Sequence, residues 1–227
     1  MVSDMAVDHV RSLGERGPTL DALSNVLGRA SQGQGDTSVA RLLEATAGQP
    51  NPSKPSDVVA LRLWLNAWNC RIPYPRDDVD LLIPSLDTWW KRHRRRLIDV
   101  ALVNLDDRGI DAYANAYSDL VDLPAGVSNI GRIRSLAPTA SSKLLWVLRQ
   151  RTACPWDAAI AKAGGRGSQR DGYAHHLRTA REWARQITIE AAERGIDNVP
   201  AHVGRPHSTL VRIYDEWCWE AFTRGSR

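Results

Sequence analysis

Hydrophobic positions along the chain recur at intervals of three and four residues, the period of helices with one buried face, and nowhere alternate long enough to support a sheet. Helices are predicted over residues 4–13, 18–27 and 37–47, separated by a break at 14–17 and by the glycine-rich loop 28–36. Gly48-Gln49-Pro50-Asn51-Pro52 is the best candidate for a boundary. It divides an N-terminal helical segment, 1–52, from a core, 53–227, unless the two form one continuous domain. The next helix, capped by Ser56 or Asp57, is dense in Val59, Leu61, Leu63, Trp64, Leu65, Ala67 and Trp68, which makes it central. A long helical stretch follows over 77–106, bent at Pro84, and then a helix over 110–120 with Tyr113 and Tyr117 one turn apart. Amphipathic helices are expected over 173–194, stopped by Gly195, and over 208–222.

One segment breaks this amphipathic pattern. From 140 to 150 the chain is apolar almost all round, with Leu144, Leu145, Trp146, Val147 and Leu148, so the whole helix is expected to be buried. Ser141 or Ser142 is placed to cap its first turn. Lys143 then falls on or beside the buried surface, near the positive end of the helix dipole. Burial and dipole both favour the neutral amine, the form that a lysine nucleophile or base requires.

Fourteen positions later Asp157 precedes Ala158-Ala159-Ile160-Ala161 and is the natural cap of another helix, where backbone N–H groups meet its carboxylate. An uncharged amine beside a held carboxylate suits attack on an electrophilic carbon while an anion steadies developing positive charge. A snorkelling lysine and a plain capping aspartate would leave the same trace in the sequence. Composition favours the chemical alternative. Of 30 Lys and Arg residues only Lys54, Lys91, Lys143 and Lys162 are lysine, and arginine, the chain's default cation, cannot give up its proton.

A lysine opening a buried helix, then a turn with Pro155-Trp156-Asp157 and a helix of small residues, resembles the catalytic core of the helix-hairpin-helix DNA glycosylases. The likeness is greatest to the 8-oxoguanine glycosylase fold and its prokaryotic relatives, some of which look like phage-defence enzymes acting on bulky modified bases. It covers about twenty residues closely and the rest as an all-helical outline; the glycines of the family's hairpin are absent from 136–142. The resemblance implies an all-α bundle, as one body or as two helical lobes with the active site between them. It also implies attack at C1′ of a flipped nucleotide by Lys143, with Asp157 activating the amine and stabilising the oxocarbenium-like state. Trp64, Trp68, Asn69, Val147, Asp215 and Trp219 are then candidates for the base pocket. Arg132, Arg134, Ser141, Ser142, Arg149 and Arg151, clustered in sequence around Lys143, are candidates for contact with DNA phosphates. The partner would be double-stranded DNA carrying a modified base, bound by a monomer without metal or other cofactor.

Charge and cysteine content narrow the alternatives. A net charge of +4 permits polyanion binding without requiring it. Lys91-Arg92-His93-Arg94-Arg95-Arg96 would encircle a helix, so solvated charge and ion pairs to Asp87 and Asp99 are expected for most of the run. Nine tryptophans against one phenylalanine are mostly core material, with some indole surface to spare for a flat ligand. Three scattered cysteines fit a reducing, cytoplasmic setting and exclude a four-cysteine iron–sulfur cluster. No apolar run is long enough for a membrane span or a signal peptide. The loop 164–172 lacks the Gly-Lys-Ser/Thr ending of a triphosphate site, and His175-His176 point about 100° apart on a helix without complementary ligands, so neither motif is assigned chemistry.

Overall fold

The computed structural model describes residues 17–27, 34–75, 79–163 and 169–224. The helix expected over 4–13, residues 28–33 of the expected loop and residues 164–168 of the second glycine-rich loop lie outside them. The protein is mostly helical, of the all-α class. In order come α1 (Leu20–Leu27), α2 (Gln34–Ala45), α3 (Pro55–Ala67), α4 (Leu82–His93), a 3-10 turn (Leu102–Asn104) and α5 (Asp107–Val121). A two-stranded ribbon, β1 (Pro124–Val127) and β2 (Ile133–Ser135), leads to α6 (Pro138–Leu148). The chain closes with α7 (Ala158–Ala163), α8 (Arg170–Glu193), α9 (Val199–His202), α10 (Leu210–Trp219) and a π-helical turn (Glu220–Arg224).

Helix α5 lies at the centre, packed on α8, α6 and α4. Its Tyr113 and Tyr117 are fully buried, one donating a hydrogen bond to Ile98 O at 2.7 Å and the other stacked on Tyr173 at 4.2 Å. Helix α6 rests on α5 and α3, and Leu144, Leu145, Trp146, Val147 and Leu148 are all buried, each contributing roughly 2 kcal/mol by leaving water. The longest helix, α8, carries α1, α9 and α10 as well as α5. Its Trp183 donates to Pro18 O at 2.9 Å and closes over Gly17, where φ of +70° and the absent Cβ are both required. Buried side chains from Leu20 to Cys218 form one cluster. Among the described residues no helix is long and apolar enough to cross a membrane.

Several local expectations are corrected. The antiparallel ribbon was not legible because its strands have four and three residues, and β2 is exposed throughout, leaving no alternation to read. Neither Ser56 nor Asp57 caps α3: Pro55 takes the first position, and the buried Asp57 carboxylate instead accepts from Asn51 N at 3.0 Å. The stretch 77–106 is not one helix, and Pro84 sits in the first turn of α4 rather than at a bend. Asp80 accepts the backbone N–H of Leu82 at 2.9 Å and so starts α4 there. The basic run then divides at the end of α4: Lys91 pairs with Asp87 at 2.6 Å, and Arg92 and His93 both reach Asp119, at 3.3 and 2.9 Å. Among the described residues Asp99 takes no arginine side chain; it faces the Arg151 backbone N–H and Thr152.

Candidate active site

Lys143 lies in the second turn of α6, because the helix opens at Pro138 rather than at Ser141 or Ser142. The dipole contributes little that far in. Burial is what holds the Lys143 amine below its ordinary pKa, assisted by Arg212 and opposed by Cys70, Asp215 and Asp157. Its Nζ sits 4.4 Å from the centre of the Trp68 ring. Among the described residues this amine enters no ion pair, although Asp157 and Asp215 are both near enough to act on its protonation.

Asp157 caps α7 as expected, accepting the Ile160 backbone N–H at 2.9 Å. The loop that carries it is anchored from three sides. Ser142 Oγ accepts from Trp156 N at 2.9 Å and lies 2.8 Å from Trp156 O, tying the loop to the residue beside Lys143. Tyr173 and His176, one turn apart on α8, hydrogen bond to Cys154 O and Pro155 O at 3.1 Å each. The His176 ring also stacks on Trp156 at 5.9 Å, and burial pushes its pKa down to about 4, leaving a neutral ring whose Nε2–H donates to the carbonyl.

The floor is aromatic. Trp64 lies between Trp68 and Trp146 at 6.1 and 6.2 Å, and Arg212 is over Trp146 as Lys143 is over Trp68. Trp64 and Trp146 are each 4% exposed, and their buried indole N–H groups lack hydrogen-bond partners among the described residues. Trp68 is held by its own N–H to Ser38 Oγ at 2.9 Å. Behind it the chain turns sharply: Cys70 N donates to Leu65 O and Asn69 N to Asn66 O, with Asn69 at φ of +61°. Asn69 is therefore the left-handed stop of α3, and its side chain is exposed.

Asp215 comes from α10, its side chain 13% exposed and paired with Arg212 at 2.6 Å. Burial raises its pKa, the neighbouring Arg212 and Lys143 oppose the rise, and Asp157 adds to it. Arg212 continues to Glu216 at 3.1 Å and Glu216 to Arg205 at 3.3 Å, so the site is backed by a chain of alternating charge. Trp219, 45% exposed, lies one turn beyond Asp215.

The remaining candidates separate. Ser141 and Ser142 have no exposed surface, so neither is placed to meet a phosphate; Ser141 donates to Ala137 O at 2.8 Å, and Ser142 serves the loop. Val147 and Trp64 belong to the core. Arg149 is folded into the protein, whereas Arg132, Arg134 and Arg151 are exposed. Two surface clefts of about 530 and about 520 Å³ are lined chiefly by Arg71, Tyr74, Ile130 and Arg134 in the first, and by Trp90, Arg94, Arg95 and Arg149 in the second. Neither is lined by Lys143 or Asp157. Reading the sequence missed Cys70 and Arg212 beside Lys143, and Tyr173 and His176 behind Asp157. Only Arg212 left a trace there, in its spacing of three and four from Asp215 and Glu216. No protein-family model, curated protein or solved structure matches the chain.

Proposed function

We propose that the protein is a DNA glycosylase that extrudes a modified base and attacks C1′ of its nucleotide through Lys143, assisted by Asp157. The state of the Lys143 amine carries the proposal: partly buried, depressed in pKa, free of any ion pair among the described residues, within the electrostatic influence of Asp215 and Asp157, and set over the Trp68 ring. A lysine kept only for charge is ordinarily solvated or paired; this one is suited to offering its lone pair. That lone pair forms the C1′–N bond, the glycosidic bond breaks with its electrons going to the departing base, and the amine's proton passes to a carboxylate. The sugar ring then opens: the C1′–O4′ bond breaks as the C1′–N double bond forms, O4′ takes the electron pair and a proton, and from the resulting imine β-elimination can cleave the strand. Flipping exposes C1′ and costs least for a damaged or mispaired base; the resemblance to the glycosylases implies oxidised guanine in repair or a bulky modified cytosine in phage defence.

Borohydride is expected to trap a covalent adduct with substrate DNA, and Lys143→Gln to abolish both trapping and base release with circular dichroism unchanged. Base release should rise with pH through a midpoint below the 10.5 of an ordinary lysine. Asp157→Asn should slow release as well, with about 1 kcal/mol of stability lost through the weakened cap. The second reading is a helical DNA-binding protein without catalysis, favoured by the absence of Lys143 and Asp157 from both large clefts. Salt-dependent duplex binding that survives Lys143→Gln, with no base released from any modified duplex or phage genome, decides for it.

A further inference from the structure

Arg149 is 91% buried and belongs to no salt bridge among the described residues. Its Nε donates to Leu97 O at 2.6 Å and its Nη1 to Leu148 O at 2.7 Å, while the guanidinium lies 4.8 Å over the Trp90 ring. Two carbonyls and an indole hold the group rigidly and leave its full positive charge uncompensated. The third nitrogen, Nη2, has no protein partner among the described residues and is not sealed from solvent, and Arg149 lines a cleft of about 520 Å³. Arg94 and Arg95, from the turn that ends α4, line the same cleft, and neither side chain has a partner among the described residues. Gln49 and Asn51 complete the rim with amides. Of the carboxylates close by in sequence, Asp57 is occupied by Asn51 N, Ser56 Oγ and Lys54, and Asp99 faces the Arg151 backbone N–H and Thr152.

We propose that this cleft is a phosphate-binding site, in which Arg149 is the fixed donor at the base and Arg94 and Arg95 close from the rim. Three guanidinium groups converging on one cleft without a carboxylate to neutralise them match an oxyanion with several acceptor oxygens, and a planar fork bonds two of those at once. The indole behind Arg149 keeps one face of the guanidinium dry, which strengthens its attraction for an anion. Arg149 lies six residues beyond Lys143, at the C-terminal end of α6, and the chemistry of the cleft is independent of what Lys143 does.

Isothermal titration with inorganic phosphate against chloride at equal ionic strength tests the site, with the part of the tryptophan fluorescence change that Trp90→Phe removes as a second readout. Saturable binding of phosphate over chloride is expected, and Arg94→Ala/Arg95→Ala should weaken it at least tenfold without changing the melting temperature in chloride. Arg149→Lys, which keeps the charge but loses the fork, should weaken it too, and Lys143→Gln should bind phosphate as the wild type does. A short DNA duplex is then added. Displacement of phosphate by the duplex, with duplex affinity lowered in Arg94→Ala/Arg95→Ala, assigns the phosphate to nucleic acid. Duplex affinity unchanged in that variant while phosphate binding is lost assigns it to a free phosphate or small phosphate ester. Phosphate binding no tighter than chloride, or equally tight in the double variant, overturns the proposal.

Discussion

Ala137 takes φ of +67° and ψ of 163°, a region that glycine alone occupies without strain, immediately before the helix that carries Lys143. Its carbonyl receives both the backbone N–H of Ser141 at 3.0 Å and the Ser141 hydroxyl at 2.8 Å, which fixes the start of α6 against the strain. Strain of this kind costs about 1–3 kcal/mol, and glycine's extra entropy in the unfolded chain costs up to about 1 kcal/mol. Ala137→Gly is therefore expected to stabilise the protein by about 1 kcal/mol in urea or thermal unfolding, where an ordinary helix start would lose stability. Residues 136–142 hold no glycine, although the backbone at Ala137 calls for one. Residue identity foretold that Lys143 would be partly buried and that Asp157 would cap, since both follow from spacing within one helix. It misplaced the origin of the amine's depressed pKa, because the true start of α6 depends on how residues 136–138 leave the ribbon.

Among elements, the ribbon is the least predictable, and its second strand is exposed throughout. Ser128 O accepts Gly131 N at 3.0 Å to close its turn, and Ile130 and Ile133 stand 76% and 69% exposed beside the exposed Arg132 and Arg134. Neither guanidinium has a partner among the described residues. If duplex DNA is the substrate, these two charges are free to neutralise phosphates. Arg132→Ala/Arg134→Ala should weaken duplex binding and reduce the magnitude of the slope of log affinity against log salt by about 2, with the melting temperature of the free protein unchanged. An unchanged slope would remove the ribbon from the DNA surface. Helix boundaries elsewhere were read from caps and period, and they failed where a side chain outside the helix did the capping, as Asp80 does for α4.

For the molecule as a whole, the buried His176 makes stability depend on pH. Its pKa is lowered from 6.5 to about 4 by burial, so below 6.5 the unfolded chain binds the proton more readily than the folded one. The stabilisation is fully present above 6.5 and is lost as pH falls toward about 4, on the order of 3 kcal/mol over that window. Denaturant unfolding of the wild type and of His176→Gln between pH 4 and 7 should show the difference: the variant keeps a donor for Pro155 O and lacks this slope. Parallel curves would mean that the ring is not held neutral.

Within single helices the sequence was a guide to period and buried face, though not to every cap. Local period and caps reveal a mostly helical chain, the buried helix of 140–150, the Asp157 cap and the odd placement of Lys143, because hydrogen bonds and burial there repeat every three or four residues. Contacts between distant segments obey no such period. Only the tertiary structure brings Trp68, Cys70, Arg212 and Asp215 around the lysine, sets Ser142, Tyr173 and His176 behind the aspartate, and leaves Arg149 without a salt bridge among the described residues. What those side chains do depends on desolvation and charge across the fold, which are properties of three-dimensional proximity.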